Sequence, residues 1–236
     1  MDIHTEIKTF PLFCLLQISD PLFPIGSYTQ SFGLETYVQK GIVHDSDSSR
    51  RYLESHLLNN FLFNDLLAVK LAWQYANEGN LEAVCHLDSL LSAAKSPREL
   101  RTASSKLGIR FSKIVGAVLK ENELFNSFMD QINTGKCEGH YSVMYGLTAE
   151  LFGIGKIEAL AAASYSTASS IVNNCAKLVP ISQKDGQDIL FESQEVFQRL
   201  VDKVETLDED SIGICCFGFD LRAMQHERLY TRLYIS

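Results

Sequence analysis

The sequence predicts an all-α fold, a single-domain helical bundle with a C-terminal docking tail. Three observations predict it. Apolar residues recur at spacings of three and four through most of the chain, which is the period of one helix face. Cap and stop signals bracket several of those runs. No hairpin dipeptide separates two alternating runs, and no internal repeat is present. At the usual helix lengths the chain holds about eight to ten helices.

The elements follow in order. The first apolar run, from Phe10 to Ile18, is too short to span a membrane. A helical segment then runs from about residue 48 to 77. Its Leu57, Leu58, Phe61, Leu62, Phe63, Leu66 and Leu67 cannot share one stripe, so it is either a central buried helix or breaks near Asn64-Asp65. Gly79-Asn80 is its stop and the cap of a shorter helix, from about Leu81 to Ala94. Ser96-Pro97-Arg98-Glu99 reads as a capping box with proline at the first helical position. Behind it Leu100, Ala103, Leu107, Phe111, Ile114 and Val118 line one face as far as about Lys120.

Between Ile157 and Cys175 the one charged residue is Glu158, and alanine and serine fill the segment. Small side chains let helices approach closely, so this reads as a core helix that ends before Pro180. One more amphipathic helix, with Ile189, Phe197, Leu200, Val201 and Val204, covers about 188 to 204. The acidic Asp208-Glu209-Asp210 marks a boundary. Residues 1–211 are read as the helical domain and 212–236 as a tail, hydrophobic enough to dock on something.

Composition excludes several function classes. A net charge of −8 over 236 residues leaves no broad cationic surface for a phosphate backbone, so nucleic acid is not expected. Six cysteines without framework spacing read as mostly buried thiols in a reducing compartment. Met1-Asp2-Ile3-His4 is not the basic start of a signal peptide, and no run is long enough to cross a membrane, so a cytoplasmic protein is expected.

Enzymatic motifs fail in turn. There is no G-x-S-x-G elbow and no HExxH, since His226-Glu227 is followed by Arg228-Leu229-Tyr230. Gly153-Ile154-Gly155-Lys156 imitates a phosphate loop, but Glu150 and Ile157 stand where glycine and Ser/Thr are required. It reads instead as a turn between helices. Cys137 and His140 have two-ligand spacing, short of the three or four ligands of a stable metal site. Lys106, Arg110 and Lys113 form a basic stripe that reads as a solvated helix face.

Two segments carry more. In Pro21–Glu35, two prolines set an extended approach, Gly26 permits a tight turn, and Ser27 can cap a helix. Gly33 within a helix would cost about 1 kcal/mol, which close approach of another backbone explains better than helix entry does. In Asp220–Ser236, Met, Tyr and Arg combine as they do at interfaces. A helix docked in cis on its own domain is the alternative for that segment.

These segments resemble the UreF family of urease accessory proteins. Pro24, Gly26, Tyr28, Ser31, Gly33, Leu34 and Glu35 match its proline–glycine–aromatic–serine–glycine–leucine–glutamate pattern. Asp220, Met224, His226, Glu227, Tyr230, Arg232 and Leu233 match its carboxyl-terminal pattern, with Tyr234 and Ile235 departing from it. The resemblance implies an all-α dimer that binds the UreD-type (UreH) scaffold, recruits the UreG GTPase and acts on apo-urease for nickel insertion. It implies no catalytic residue, metal site or cofactor in this chain. Tyr28, Ser31, Gly33 and Glu35 are expected at one interface, and Asp220, Met224, His226, Glu227, Tyr230 and Arg232 at the other. The alternatives are a regulator of GTP hydrolysis using Arg222, Arg228 or Arg232, and a component of a nickel tunnel.

Overall fold

The computed structural model describes residues 9–26, 33–214 and 217–230. Among these residues the chain is all-α, with twelve α-helices and no strand. In order they are α1 (Thr9–Ile18), α2 (Leu34–Gln39), α3 (Ser46–His56), α4 (Leu67–Asn77), α5 (Leu81–Ala94), α6 (Arg98–Leu119), α7 (Glu123–Asn133), α8 (Tyr141–Leu151), α9 (Lys156–Leu178), α10 (Gln183–Glu192), α11 (Gln194–Glu205) and α12 (Phe217–His226).

Between α3 and α4 the chain does not break. A π-helical stretch, Leu57–Leu66, joins them with right-handed helical backbone at both junctions. The change of winding lets Leu57, Phe61, Leu62, Asn64 and Leu66 all be buried, which one α-helical stripe could not do. The α4 end packs on α8, and α8 packs on α6, around the fully buried Tyr145, Phe111, Met144 and Leu147. Gly146 permits the first contact, because a Cβ there would run into the Val69 carbonyl and lie 2.9 Å from Ala72 Cβ.

Local signals act largely as expected. Asn80 caps α5, its side chain accepting from the Ala83 amide at 3.1 Å. The core helix rich in small residues is α9, which ends before Pro180. Gly153-Ile154-Gly155 is the turn from α8 to α9, pinned by Trp73 Nε1 donating to Ile154 O at 2.9 Å. Lys156 is paired with Glu205 at 2.6 Å.

Two local expectations are corrected. Pro97, not Ser96, occupies the position before α6, and no side chain caps the helix. Glu99 is used elsewhere. The helix expected over 188–204 is two helices, α10 and α11, separated at the buried Ser193. Its hydroxyl donates back to Ile189 O at 2.8 Å, a bond that competes with helical continuation.

Candidate partner-docking site at the carboxyl-terminal helix

The tail helix α12 lies in cis against α2 and α6. Its inward face is Phe219, Ala223 and His226, all buried and spaced by four and three. Each makes a different contact. Phe219 closes an aromatic cluster, with ring centroids 5.7 Å from Tyr37, 5.7 Å from Tyr52 and 5.1 Å from His56. Burial lowers the His56 pKa to about 4, against an opposing pull from Asp65, so this ring is neutral near pH 7.

Ala223 meets Gly33. This glycine precedes α2 rather than lying inside a helix, and its φ is +88°. A Cβ on it would sit 3.2 Å from both the Ala223 Cα and amide nitrogen. The residue must therefore be glycine twice over, for its left-handed backbone and for the close approach of α12. Beside this contact, Thr36 Oγ1 donates to the Arg222 carbonyl at 3.0 Å.

His226 is fully buried and binds two carboxylates. Nε2 lies 2.7 Å from Glu35 Oε2 on α2, and Nδ1 lies 3.0 Å from Glu99 Oε2 on α6. Both ring nitrogens are thereby engaged, and the imidazole bridges α2 and α6. The next residue, Glu227, lies nearer the surface and pairs with Arg98 at 3.2 Å.

The outward face of α12 is different in character. Phe217 is 75% exposed and Met224 42%, while Tyr230, just beyond the helix, is 100% exposed. Arg228 is exposed and continues the stripe begun by Phe217 and Met224. Large apolar side chains left in water along one stripe, with an arginine, are the composition of an interface anchor. Arg222 is engaged otherwise, lying over the Tyr37 ring at 5.9 Å and donating to Gln225 Oε1 at 2.7 Å.

The relatives of the chain decide its kinship. The family model for UreF matches residues 43–194. A urease accessory protein UreF of Haemophilus influenzae (strain PittGG) is 38% identical over 225 residues, 95% of each chain. One from Actinobacillus pleuropneumoniae serotype 5b is 38% identical over 226 residues, 95% of this chain and 99% of its own. One from Lachnoclostridium phytofermentans is 30% identical over 222 residues, 94% of this chain and 97% of its own. The chain belongs to the UreF family of urease accessory proteins.

Within this UreF-family chain, the two segments singled out in the sequence come together. Gly33 and Glu35 from the first touch Ala223 and His226 from the second. Both Glu35 and His226 are buried, so with α12 docked they hold the chain to itself rather than reaching a partner. Met224 and Tyr230 face outward, Glu227 is held at the rim by Arg98, and Asp220 is half-buried. Asp220 also stands at the wall of a cavity of about 160 Å³ beneath α12. Tyr28, Ser31 and Arg232 lie outside the described residues.

Sequence reading missed Glu99, taken for a capping residue, and Arg98, which ties down Glu227. Only proximity in space reveals either. The Cys137–His140 pair does not converge on one point. The Cys137 thiol meets Cys85, while His140 Nε2 bonds Ser92 Oγ at 2.7 Å. Among the described residues, no group of three His, Cys, Asp or Glu side chains is placed to hold a metal. No described helix is long and apolar enough to cross a membrane.

Proposed function

We propose that this chain is a non-catalytic adaptor of urease maturation. It joins a UreD/UreH-type scaffold to the UreG GTPase and presents both to apo-urease, as a cytoplasmic homodimer with residues 212–236 serving as the docking tail. The observation that carries this reading is the division of α12 into two faces. The inner face is fastened by Glu35, Glu99 and Gly33, and the outer one leaves Phe217, Met224, Arg228 and Tyr230 to solvent. A helix held on one side presents its other side with little ordering cost, which favours binding. In this reading Glu35 and His226 act through position, while Met224, Tyr230 and Arg232 serve the scaffold interface. Tyr28 and Ser31 serve the second interface.

The deciding experiment is calorimetry of the full chain with the scaffold protein. Replacing Met224 and Tyr230 together by alanine weakens binding by about 30-fold or more, with the folded chain unaltered. Unchanged affinity removes the outer face of α12 from the docking site.

One observation favours a second reading, passage of nickel cargo through the chain. The cavity beneath α12 is lined by Asp65, Lys95, Ser142, Ser104 and His56 as well as Asp220. Filling it with Ala163→Phe lowers the nickel content of urease while the complexes still assemble, if the cargo takes this route. Normal nickel loading ends that reading.

A further inference from the structure

Away from α12, two cysteines distant in sequence meet. Cys85 is on α5 and Cys137 in the turn that follows α7, and the two thiols are neighbours. The contact is held by its surroundings. Asp88, one turn after Cys85 on the same helix, is fully buried. Its carboxylate accepts three consecutive amides of the turn, from Glu138 at 2.6 Å, Gly139 at 3.2 Å and His140 at 2.8 Å. Ser105 Oγ on α6 also donates to the Glu138 carbonyl at 2.6 Å. The backbone next to Cys137 is therefore fixed against α5, one turn from Cys85 on that helix.

We propose that Cys85 and Cys137 form a reversible dithiol–disulfide modification site, oxidised by a low-molecular-weight disulfide. Cys85 is the half-exposed member and Cys137 the buried one, which assigns their roles. The Cys85 thiolate attacks one sulfur of the small disulfide. The small disulfide's S–S bond breaks, one thiol leaves, and a mixed disulfide remains on Cys85. The Cys137 thiolate then attacks Cys85 Sγ and expels the second small thiol. The protein loses two electrons and two protons. The small disulfide gains both and becomes two thiols. Burial raises both thiol pKa values, that of Cys137 to about 12, so both are protonated at neutral pH and the exchange quickens as pH rises. The resulting bond ties α5 to the turn before α8 and closes a long loop.

The test is to treat the full-length protein with oxidised glutathione at pH 8, block remaining thiols under denaturing conditions, and map peptides. The expected result is a peptide pair linked through Cys85 and Cys137, undone by dithiothreitol, absent from Cys85→Ser and retained in Cys14→Ser. The oxidised protein also melts several degrees higher, since a link across so long a loop restricts the unfolded chain. Two results would overturn the proposal: Cys85 carrying glutathione with Cys137 still free, or both thiols unreacted after the treatment. The wild-type map decides even if Cys85→Ser fails to fold.

Discussion

His226 Nε2 lies 2.7 Å from Glu35 Oε2, although 191 residues separate the two in sequence. The bond is buried, and the second ring nitrogen is occupied by Glu99. It is the most deeply buried polar contact between α12 and the body of the chain, beside the apolar packing of Phe219 and Ala223. Its loss takes this bond from the buried Glu35 carboxylate and from the half-buried Glu99 one, which costs more than the bond contributes when made.

His226→Ala is therefore expected to destabilise the chain by about 3 kcal/mol. Hydrogen exchange should show α12 opening first, because few other polar bonds hold it. His226→Gln, which can still donate to one carboxylate, should lose less. Urea denaturation with exchange mass spectrometry measures both, and unchanged protection of α12 in His226→Ala would contradict the assigned contact.

Gly33→Ala is expected to cost about 2 kcal/mol, combining a left-handed backbone at φ +88° with the 3.2 Å approach of Ala223. Gly33→Ala should also loosen α12 without altering α8 or α9. Gly41→Ala serves as the comparison. That glycine shares a positive φ of 66°, but nothing lies within 4 Å of its added Cβ. The difference in melting temperature between the two variants isolates the contact with α12.

Acid sensitivity follows from two histidines buried neutral. Burial lowers the pKa of both His56 and His140 to about 4 from 6.5, against neighbouring carboxylates that pull the other way. The unfolded chain takes up these protons first, so stability is whole above about pH 6.5 and falls as pH drops toward about 4. For His56 the loss is about 3 kcal/mol over that window. Urea midpoints taken from pH 7 to pH 4 should fall steadily, and a flatter profile is expected for His56→Gln. A profile unchanged by that substitution would show that His56 does not titrate as placed.

Asp88→Ala should destabilise strongly, by about 3 kcal/mol, because three backbone amides of residues 138–140 lose their acceptor at a fully buried site. Asp88→Asn keeps one carbonyl oxygen and adds an unwanted donor, so it should recover only part of the loss. Equilibrium denaturation of both variants checks this ordering.

At the outer face, binding and stability should separate. Met224→Ala and Tyr230→Ala remove exposed side chains, so each is expected to leave melting within about 1 °C of the parent while scaffold affinity falls. His226→Ala should lower both together.

What the sequence by itself determined is local. The period of the apolar residues specified helices, Asn80 started α5, and the small residues of α9 indicated a core helix. Family kinship was legible in two terminal segments, and the family model matches the helical middle, residues 43–194, between them. Periodicity has no means of reporting a π-turn, so the stretch at 57–66 looked like an over-hydrophobic helix. Nor does it distinguish a capping glutamate from one that leaves its helix, as Glu99 does to reach His226. The meeting of Glu35 with His226 and of Gly33 with Ala223 was decided by tertiary structure alone. The same step sorted the candidate residues into those that fasten α12 and those it exposes. Burial and contact across 191 residues are properties of the packed chain, and no spacing along the sequence encodes them.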